Sequence, residues 1–283
     1  MERKTAIVTG ANSGMGLVAA TALAKKRIHV IMASRSKERG KEALLKVMDK
    51  SQSEHVDLMQ CDLGSLASIR SFAANVKEKY KCLDILINNA GVVSLKRELT
   101  TDLFESQIGI NHLGHFLLTN LILPELRNSE DARVINISSG AHKWGRIHFR
   151  DPHLSENYNV VKGYGQSKLA NVLFTKALAE KVSSEFIAVN AVHPGAVATN
   201  LGIDRTSGFG KTVTNWLAPW FKSPEQGAET AVYLALDPEI KGVTGGYFYN
   251  KKPASISKKA SDRKLAETLW IWSEREVGIT SLS

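Results

Sequence analysis

A glycine-rich turn between an apolar strand and a helix constrains the fold of this chain most strongly. Residues 9–16 read Thr-Gly-Ala-Asn-Ser-Gly-Met-Gly; they follow the apolar segment 5–9 and lead into a helical pattern over 15–26. Glycines let the backbone turn tightly and approach a pyrophosphate, and the unpaired N–H groups of a helix start favour its negative charge. The spacing Gly-x-x-x-Gly-x-Gly differs from the general Gly-x-Gly-x-x-Gly fingerprint. The turn predicts a dinucleotide-binding unit, with an ordinary tight turn as the alternative.

Short apolar segments alternate with longer amphipathic ones along the chain. The predicted strands are 5–9, 29–33, 56–60, 84–88, 133–138, 187–192 and 246–249, and the predicted helices are 15–26, 37–50, 66–79, 103–126 and 162–181. Strands that are apolar on both faces and separated by helices indicate a parallel sheet covered on both sides. We therefore predict an α/β chain of one domain over residues 1–283: a Rossmann-type doubly wound fold with a parallel sheet of about seven strands.

The composition is that of an ordinary globular protein. Of the 283 residues, 43% are hydrophobic, which excludes disorder as the dominant state. No run of about 18 uncharged apolar residues is present, so we expect no transmembrane segment, and no apolar stretch of signal-peptide length precedes the first strand. Cys61 and Cys82 are the only cysteines, too few for a disulfide framework. These features predict a cytoplasmic protein.

The chain is basic, with 37 Lys and Arg against 28 Asp and Glu and a formal net charge of +9. Such a balance is compatible with nucleic acid or an anionic membrane as a partner. The basic residues are mostly interleaved with acidic ones, and the densest cluster, 251–264, is most simply a solvated face; contact with a phosphate or membrane surface is the alternative. No nucleic-acid-binding motif is present, and no such partner is expected.

The end of the second predicted strand bears on the choice of nucleotide. An acidic residue at this position accepts hydrogen bonds from the ribose of NAD, whereas this sequence has Ser34-Arg35-Ser36-Lys37. The guanidinium of Arg35 fits a charge-assisted contact with a 2′-phosphate, and Ser13 adds a hydroxyl. We predict NADP(H) as the cofactor, with an ordinary basic helix start as the alternative.

Tyr164 and Lys168 are four positions apart in a predicted helix, so the phenol and the ammonium share a face. A free phenol has a pKa near 10, and a nearby ammonium lowers it toward the range of acid–base chemistry at neutral pH. Many helix surfaces carry such a pair, and a solvated face is the alternative.

Other polar or glycine-containing segments follow the predicted strands in a definite order. They are Asn88-Asn89-Ala90-Gly91 after the fourth strand, Asn111 in the next helix, Ser138-Ser139 at the end of the fifth strand and the run from Pro194 to Thr199 after the sixth. With the glycine-rich turn and the Tyr–Lys pair, this order resembles the short-chain dehydrogenase/reductase superfamily over essentially the whole chain.

By this resemblance, Tyr164 is the acid/base that gives a proton to a carbonyl oxygen while the cofactor delivers hydride. Ser139 hydrogen-bonds the same oxygen, Lys168 lowers the pKa of Tyr164 and holds the nicotinamide ribose, and Asn111 supports a water relay toward Lys168. The serine of the family is the second of such a pair, and alternate residues of a strand face opposite sides, so we assign Ser139; Ser138 is the alternative.

The resemblance also implies the residues that contact the cofactor. Asp62 and Leu63 meet the adenine, residues 89–91 line the adenosine side, and residues 194–199 cover the nicotinamide. The full predicted set is Gly10, Ser13, Gly14, Met15, Gly16, Arg35, Asp62, Leu63, Asn89, Ala90, Gly91, Tyr164, Lys168, Pro194, Gly195, Val197 and Thr199.

Ser139 and Tyr164 are 25 positions apart, further than in most members. This interval, with the runs 111–116 and 165–174, resembles the retinol dehydrogenase-like branch, whose membrane-bound members carry an N-terminal anchor that the first residues here do not show. We predict a substrate lid at 200–223, where Phe209, Trp216, Trp220 and Phe221 cluster; a small helix packed on the core or a partner is the alternative.

The predicted activity is an NADP(H)-dependent interconversion of an apolar aldehyde or ketone and its alcohol. Alternatives are reduction of a carbon–carbon double bond and a non-catalytic dinucleotide sensor, although such sensors usually lose the tyrosine or lysine. Relatives often pair through the helix that carries the tyrosine, which makes a homodimer possible. His112 and His115 lack further ligands at matching spacing, and no metal site is expected. His142 and Trp144 either contact substrate or pack their loop.

Overall fold

One twisted sheet organises the part of the chain that the structure, a computed structural model, describes: residues 3–183, 186–195 and 222–280. Its strands are β1 (Thr5–Thr9), β2 (His29–Ser34), β3 (Val56–Gln60), β4 (Ile85–Asn88), β5 (Ala132–Ile137), β6 (Ile187–His193), β7 (Tyr247–Tyr249) and β8 (Lys252–Pro253). Their order is β3-β2-β1-β4-β5-β6-β7-β8. The first seven are parallel to their neighbours, and β8 is antiparallel to β7.

The predicted α/β fold with a parallel sheet is confirmed, and all seven predicted strands are present. The eighth strand has only two residues and carries no alternation of its own, which is why the pattern did not predict it. It lies at the edge of the sheet, where a strand has a neighbour on one side only. Pro253, which has no backbone N–H to donate, is tolerated at such a position.

Helices cover both faces of this sheet. They are α1 (Gly14–Lys25), α2 (Lys37–Ser51), α3 (Leu66–Lys79), α4 (Ser106–Ile108), α5 (His115–Leu121), α6 (Leu123–Arg127), α7 (Val160–Lys181), α8 (Pro224–Leu236) and α9 (Arg263–Val277). Side-chain caps begin several of them: Ser36 and Ser65 accept from backbone N–H groups of α2 and α3, and Ser223 and Gln226 form a capping box at α8.

The core lies in two layers, one on each face of the sheet. On one face, the apolar residues of α1, α2 and α8 pack against alternate residues of β1, β2 and β4. On the other face, α3, α5, α7 and α9 cover the remaining side chains. β5 is buried at all six positions and β1 at four of five, as expected for strands of a parallel sheet that is covered on both faces.

The prediction of one continuous helix over 103–126 is wrong. Leu103 has a positive φ of 67°, and α4 begins at Ser106, where the side chain of Glu105 accepts from two backbone N–H groups. A π-helical segment, Gly109–Gly114, separates α4 from α5. Pro124 has no N–H to donate to the preceding turn, and accordingly α5 ends at Leu121 and a new helix starts.

No helix in the described part of the chain combines the length and the apolarity needed to cross a bilayer. The predicted lid at 200–223 lies outside the described residues except for its last two positions.

Candidate active site

The crevice at the carboxyl ends of β1 and β4 contains the principal candidate site. The strand order reverses there, since β1 is followed in the sheet by β2 on one side and β4 on the other, and ligands of doubly wound sheets bind at such switch points. A cavity of about 450 Å³ opens at this position and is bounded by the turns that follow β1, β2, β3 and β4.

The glycine-rich turn forms the floor of this cavity. Gly10 has φ +64° and Gly14 φ +54°, a region that side chains disfavour. A Cβ at Gly10 would lie 3.0 Å from the Cα of Ala90, and one at Gly16 would lie 2.3 Å from the carbonyl oxygen of Gly10. The absence of side chains therefore lets α1 start directly behind the turn.

Polar groups of Thr9 and Asn89 fasten this turn to the end of β4. The Oγ1 of Thr9 accepts from the backbone N–H groups of Asn89 and Ala90 at 2.9 and 3.0 Å, and the side-chain amide of Asn89 donates to the carbonyl oxygen of Thr9 at 2.8 Å. The Nε2 of His115 lies 2.9 Å from the same hydroxyl. The two strand ends that bound the cavity are thus held in fixed register.

Most of the predicted cofactor-binding residues line this cavity. Those on its wall are Gly10, Ser13, Gly14, Met15, Arg35, Asp62, Leu63, Asn89, Ala90 and Gly91. Gly16 is not among them, because it lies inside α1 and faces the turn rather than the cavity. Pro194 and Gly195 follow β6 and do not reach the wall either, and Val197 and Thr199 lie outside the described residues.

The structure adds residues that the sequence analysis missed. Ser36 and Arg39 line the cavity beside Arg35, and Pro224 reaches it from the start of α8. Ser36 is the N-cap of α2 and accepts from the backbone N–H of Arg39 at 3.2 Å, so Arg39 lies in the first helical turn, next to the strand end. The signal was available: a capping serine three positions before a second arginine places that arginine at the same edge.

Tyr164, Ser139 and Lys168 come together at the carboxyl end of β5. Tyr164 and Lys168 lie one turn apart in α7, with the Nζ of Lys168 5.6 Å from the centre of the Tyr164 ring. Ser139 lies two residues after the end of β5 and hydrogen-bonds the Tyr164 side chain. Ser138 faces the opposite way: it is buried, and its hydroxyl donates to the backbone oxygen of Lys168 at 2.8 Å.

The electrostatics of this group differ from the simple Tyr–Lys prediction. Burial raises the pKa of Tyr164, and the hydrogen bond with Ser139 only partly opposes this, so the net shift is the reverse of the lowering that the sequence predicted for the Tyr–Lys pair. Burial also lowers the pKa of Lys168 from 10.5 to about 8, and its Nζ donates to the backbone oxygen of Ile137 at 3.2 Å. Desolvation dominates both groups.

Asn111 lies in the π-helical segment and is fully buried. Its Oδ1 accepts from the N–H of Val92 at 2.8 Å, and its Nδ2 donates to the carbonyl oxygen of Val92 and to Ser167 at 3.0 and 3.1 Å. The side chain therefore holds the segment after β4 against α7. π-helical turns often occur at functional sites.

Gly91 connects the cavity with the Tyr–Lys group. A Cβ at this position would lie 3.3 Å from the Oδ1 of Asn111 and 3.7 Å from the Nζ of Lys168, and the residue itself lines the cavity. The two parts of the predicted site are accordingly neighbours, although α7 contributes no residue to the cavity wall itself.

A larger groove of about 790 Å³ lies between α1 and α8, and residues such as Arg27 and Tyr233 line it. It contains none of the predicted site residues and lies away from the carboxyl edge of the sheet. It is therefore not the candidate active site.

The two histidines of the π-helical region make hydrogen-bonding contacts within the protein: His112 contacts Ser273 at 2.8 Å and His115 contacts Thr9. In the described part of the chain, no group of three potential metal ligands is present.

The sequence and the architecture match known proteins. The family model for short chain dehydrogenases matches residues 4–208. This chain belongs to the short-chain dehydrogenase family. Human retinol dehydrogenase 13 is 43% identical over 99% of the chain and 86% of its own length, and human polyprenol dehydrogenase is 37% identical over 99% and 87%. The solved structure of an actinorhodin polyketide ketoreductase with NADPH has a TM-score of 0.70, at 27% identity over 87% of this chain and 95% of the other.

The retinol dehydrogenase-like resemblance is thereby confirmed, and the protein is an oxidoreductase of that family. Membership implies a nicotinamide dinucleotide cofactor, and the residues present fit one. Gly10 and Gly14, both with positive φ, bring the backbone of the turn to the cavity wall, and the cavity extends from this turn to Gly91 beside Lys168.

Proposed function

We propose that this protein is an NADP(H)-dependent oxidoreductase that interconverts an apolar aldehyde or ketone and the corresponding alcohol, with Tyr164 as the acid/base. The observation that carries the proposal is the grouping of Tyr164, Ser139 and Lys168 next to a nucleotide-sized cavity, joined to it through Gly91. The bound cofactor supplies or accepts the hydride.

In the reducing direction, the chain's own residues handle the proton. Because burial raises the pKa of Tyr164, its phenol carries a proton at neutral pH and donates it to the carbonyl oxygen. The hydroxyl of Ser139 donates a second hydrogen bond to that oxygen and favours the negative charge that develops there. Lys168, with a pKa of about 8, is an ammonium at pH 7 and stabilises the phenolate that remains.

The residues on the cavity wall support a preference for the phosphorylated cofactor. Two guanidinium groups, Arg35 and Arg39, lie at the end of β2 and the start of α2, and guanidinium groups bind phosphate through two parallel hydrogen bonds. The strand end carries no acidic side chain to accept from the ribose hydroxyls. We assign the 2′-phosphate to this pair.

The cofactor assignment is tested with the variants Arg35→Ala and Arg39→Ala. We expect each to weaken NADPH binding by about tenfold or more, the value of a lost charged hydrogen bond, while NADH binding changes little. Lys37→Ala is the matched control, since Lys37 is also cationic and lies between the two but does not line the cavity. Fluorescence titration of both reduced cofactors gives the dissociation constants, and tighter binding of NADH to the unmodified protein would contradict the assignment.

Relatives support an apolar substrate, since retinol and polyprenol are the alcohols named for them. The activity is tested by following NADPH absorbance with a panel of long-chain and aromatic aldehydes, ketones and enones, and by identifying the products. We expect alcohols from the apolar carbonyl compounds. A preference for small charged oxoacids contradicts the substrate class, and saturated ketones from enones indicate double-bond reduction instead.

The cytoplasmic location stays a prediction, because one relative, 40% identical, is a chloroplastic short-chain dehydrogenase of Brassica napus.

A further inference from the structure

Two buried side chains whose rings are in contact each carry a polar atom that has no hydrogen-bond partner among the described residues. These atoms are the Nε2 of His142 and the hydroxyl of Tyr247. His142 is fully buried, Tyr247 is 5% exposed, and their ring centres are 4.7 Å apart. A buried polar atom without a hydrogen-bond partner destabilises the folded state. Four other such atoms occur in the described part of the chain, on Asn88, Gln107, His112 and Glu125, but they belong to separate elements.

The hydrogen bonding of His142 fixes which of its nitrogens carries the proton. Its Nδ1 lies 2.8 Å from the backbone oxygen of Ser139. A carbonyl oxygen only accepts, and Nδ1 must therefore donate. Burial lowers the pKa of His142, so that the ring is neutral at pH 7 and Nε2 bears a lone pair. The second atom has the complementary character, because burial raises the pKa of Tyr247 and its hydroxyl keeps a proton to donate.

The pair adjoins the catalytic group from two sides. His142 lies in the short turn 140–143 that follows Ser139 directly, and its Nδ1 bond holds that serine's backbone. Tyr247 lies in β7, and its phenol is close enough to Tyr164 for the charge of one to raise the pKa of the other. Tyr164 in turn hydrogen-bonds Ser139. The His142 ring therefore lies next to Ser139, and the Tyr247 ring lies next to His142, beside the place where the carbonyl group is expected.

We propose that His142 and Tyr247 form a subsite for one neutral hydroxyl group, which donates to Nε2 of His142 and accepts from the hydroxyl of Tyr247. A carboxylate would meet the lone pair of Nε2 with no proton between them, and the ammonium of Lys143 already acts on His142, which disfavours a second cation. A neutral O–H satisfies both atoms. It is supplied by a substrate that carries a hydroxyl group near its carbonyl, or by a resident water molecule.

The substrate arm of this inference rests on the proposed carbonyl reduction, so the first test does not use activity. A high-resolution crystal structure of the holoenzyme with NADP⁺ is expected to show an oxygen within about 3.2 Å of both atoms, as water or as part of an added hydroxyl compound. In the same crystals, Tyr247→Phe should lose that oxygen. Density that remains empty in the unmodified holoenzyme, with and without added hydroxyl compounds, would overturn the proposal.

The second test distinguishes the two sources of the hydroxyl. A ketone is compared with analogues whose hydroxyl is one, two or three carbons from the carbonyl. If the substrate supplies the group, one analogue has a kcat/KM at least about tenfold above that of the parent ketone, the size of one well-made hydrogen bond. Tyr247→Phe removes this preference. If water supplies it, no analogue is preferred, and Tyr247→Phe lowers kcat/KM equally for all.

Two histidine variants separate the subsite from the support of Ser139. Asn at position 142 can replace Nδ1 but lacks Nε2, whereas Gln reaches the Nε2 position but not the Ser139 oxygen. We expect His142→Asn to behave as Tyr247→Phe does, with NADPH affinity and melting temperature retained, and His142→Gln to lower kcat for every substrate.

Tyr249→Phe is the control, since Tyr249 is 37% exposed and stacks on His193 instead. Unchanged kinetics in both Tyr247→Phe and His142→Asn would overturn the subsite. Absence of any carbonyl reduction by the unmodified protein would instead contradict the proposed function, and the density would still decide the subsite.

Discussion

At the scale of single residues, desolvation controls the two groups that the chemistry needs. The pKa of Tyr164 rises and that of Lys168 falls to about 8 for the same reason, since burial disfavours the charged form of each. The phenol keeps its proton at neutral pH, and the ammonium holds its proton less tightly than a free lysine does. This combination suits a site in which one proton moves at a time. Sequence spacing predicts that these groups are neighbours, but it contains no measure of their burial.

We expect Tyr164→Phe to lower kcat by a factor of about 100–10,000, the range for loss of a positioned general acid. The ring stays in place, so NADPH affinity should change little. Steady-state rates and cofactor titration measure the two effects separately. Tyr233→Phe, in the distant groove, is the matched control and should keep full activity. Full activity in the Tyr164 variant would refute the acid/base role.

Lys168→Met should raise the free energy of unfolding of the cofactor-free protein at pH 7, by up to about 3 kcal/mol. The folded protein binds the Lys168 proton with a pKa of about 8, against 10.5 for a free lysine. Between these values the unfolded chain holds more protons, and the unmodified protein becomes more stable as pH rises. The advantage of the variant should therefore be full below pH 8 and shrink by pH 10.5.

Denaturant titrations at pH 7 and pH 10 measure this difference. Lys176→Met, on the same helix, is a control for the loss of a lysine whose side chain is only partly buried. A Lys168→Met variant that is equally destabilised at both pH values would contradict the assignment of a desolvated ammonium.

At the scale of elements, the start of α1 depends on a contact that admits no side chain. A Cβ at position 16 would lie 2.3 Å from the carbonyl oxygen of Gly10 and 2.5 Å from the side-chain amide of Asn89. Backbone on one side and a hydrogen-bonded amide on the other leave no flexible group that could move away.

We expect Gly16→Ala to lower the free energy of unfolding by about 1–3 kcal/mol and to weaken NADPH binding, because α1 must shift away from the turn. Gly40→Ala is the comparison, since a Cβ there meets the flexible end of Leu58 at 2.7 Å and gains helix propensity. Thermal unfolding with and without NADPH measures both changes. Equal stability of the two variants would show that a Cβ at position 16 can be accommodated next to the turn.

Elements with strong local patterns could be predicted, and those set by tertiary contacts could not. The bounds of β3 and α3 agree with the prediction to the residue. In α3, the capping residue Ser65 directly precedes the first residue of the amphipathic pattern. The region 103–126 differs because its burial is nearly continuous, from Phe104 to Thr119, and such a run hides the change from α to π geometry. In the site, the capping Ser36 three positions earlier could have indicated Arg39, whereas the pKa shifts of Tyr164 and Lys168 follow from burial that the sequence does not contain.

At the scale of the whole molecule, α9 covers one face of α7, the helix through which relatives were expected to pair, and also contacts α5. Trp270 is buried against Phe116 and Phe174, at ring distances of 4.8 and 5.9 Å. Ser273 meets His112 of the π-helical segment. Pairing of two chains through this face would require α9 to leave, and we therefore do not expect a homodimer built on α7; sedimentation across a concentration series tests this.

Trp270→Ala should lower the free energy of unfolding by about 3–5 kcal/mol, the usual cost of removing a buried large aromatic side chain. Trp272→Ala is the control two residues away, since Trp272 is only partly buried at the core edge. Chemical denaturation compares the two. A Trp270 variant as stable as the Trp272 variant would show that the packing of α9 on the core contributes little to the free energy of unfolding.

The π-helical segment Gly109–Gly114 determines how α5, which follows it, is rotated about the helix axis. Each α-helical residue advances the chain by about 100° around the axis. Deleting one residue from this segment would let the helix close with ordinary geometry and turn His115 away from Thr9 by that angle. The contact between the helix and the end of β1 would then open, so the extra residue works as a spacer that sets the rotation of α5.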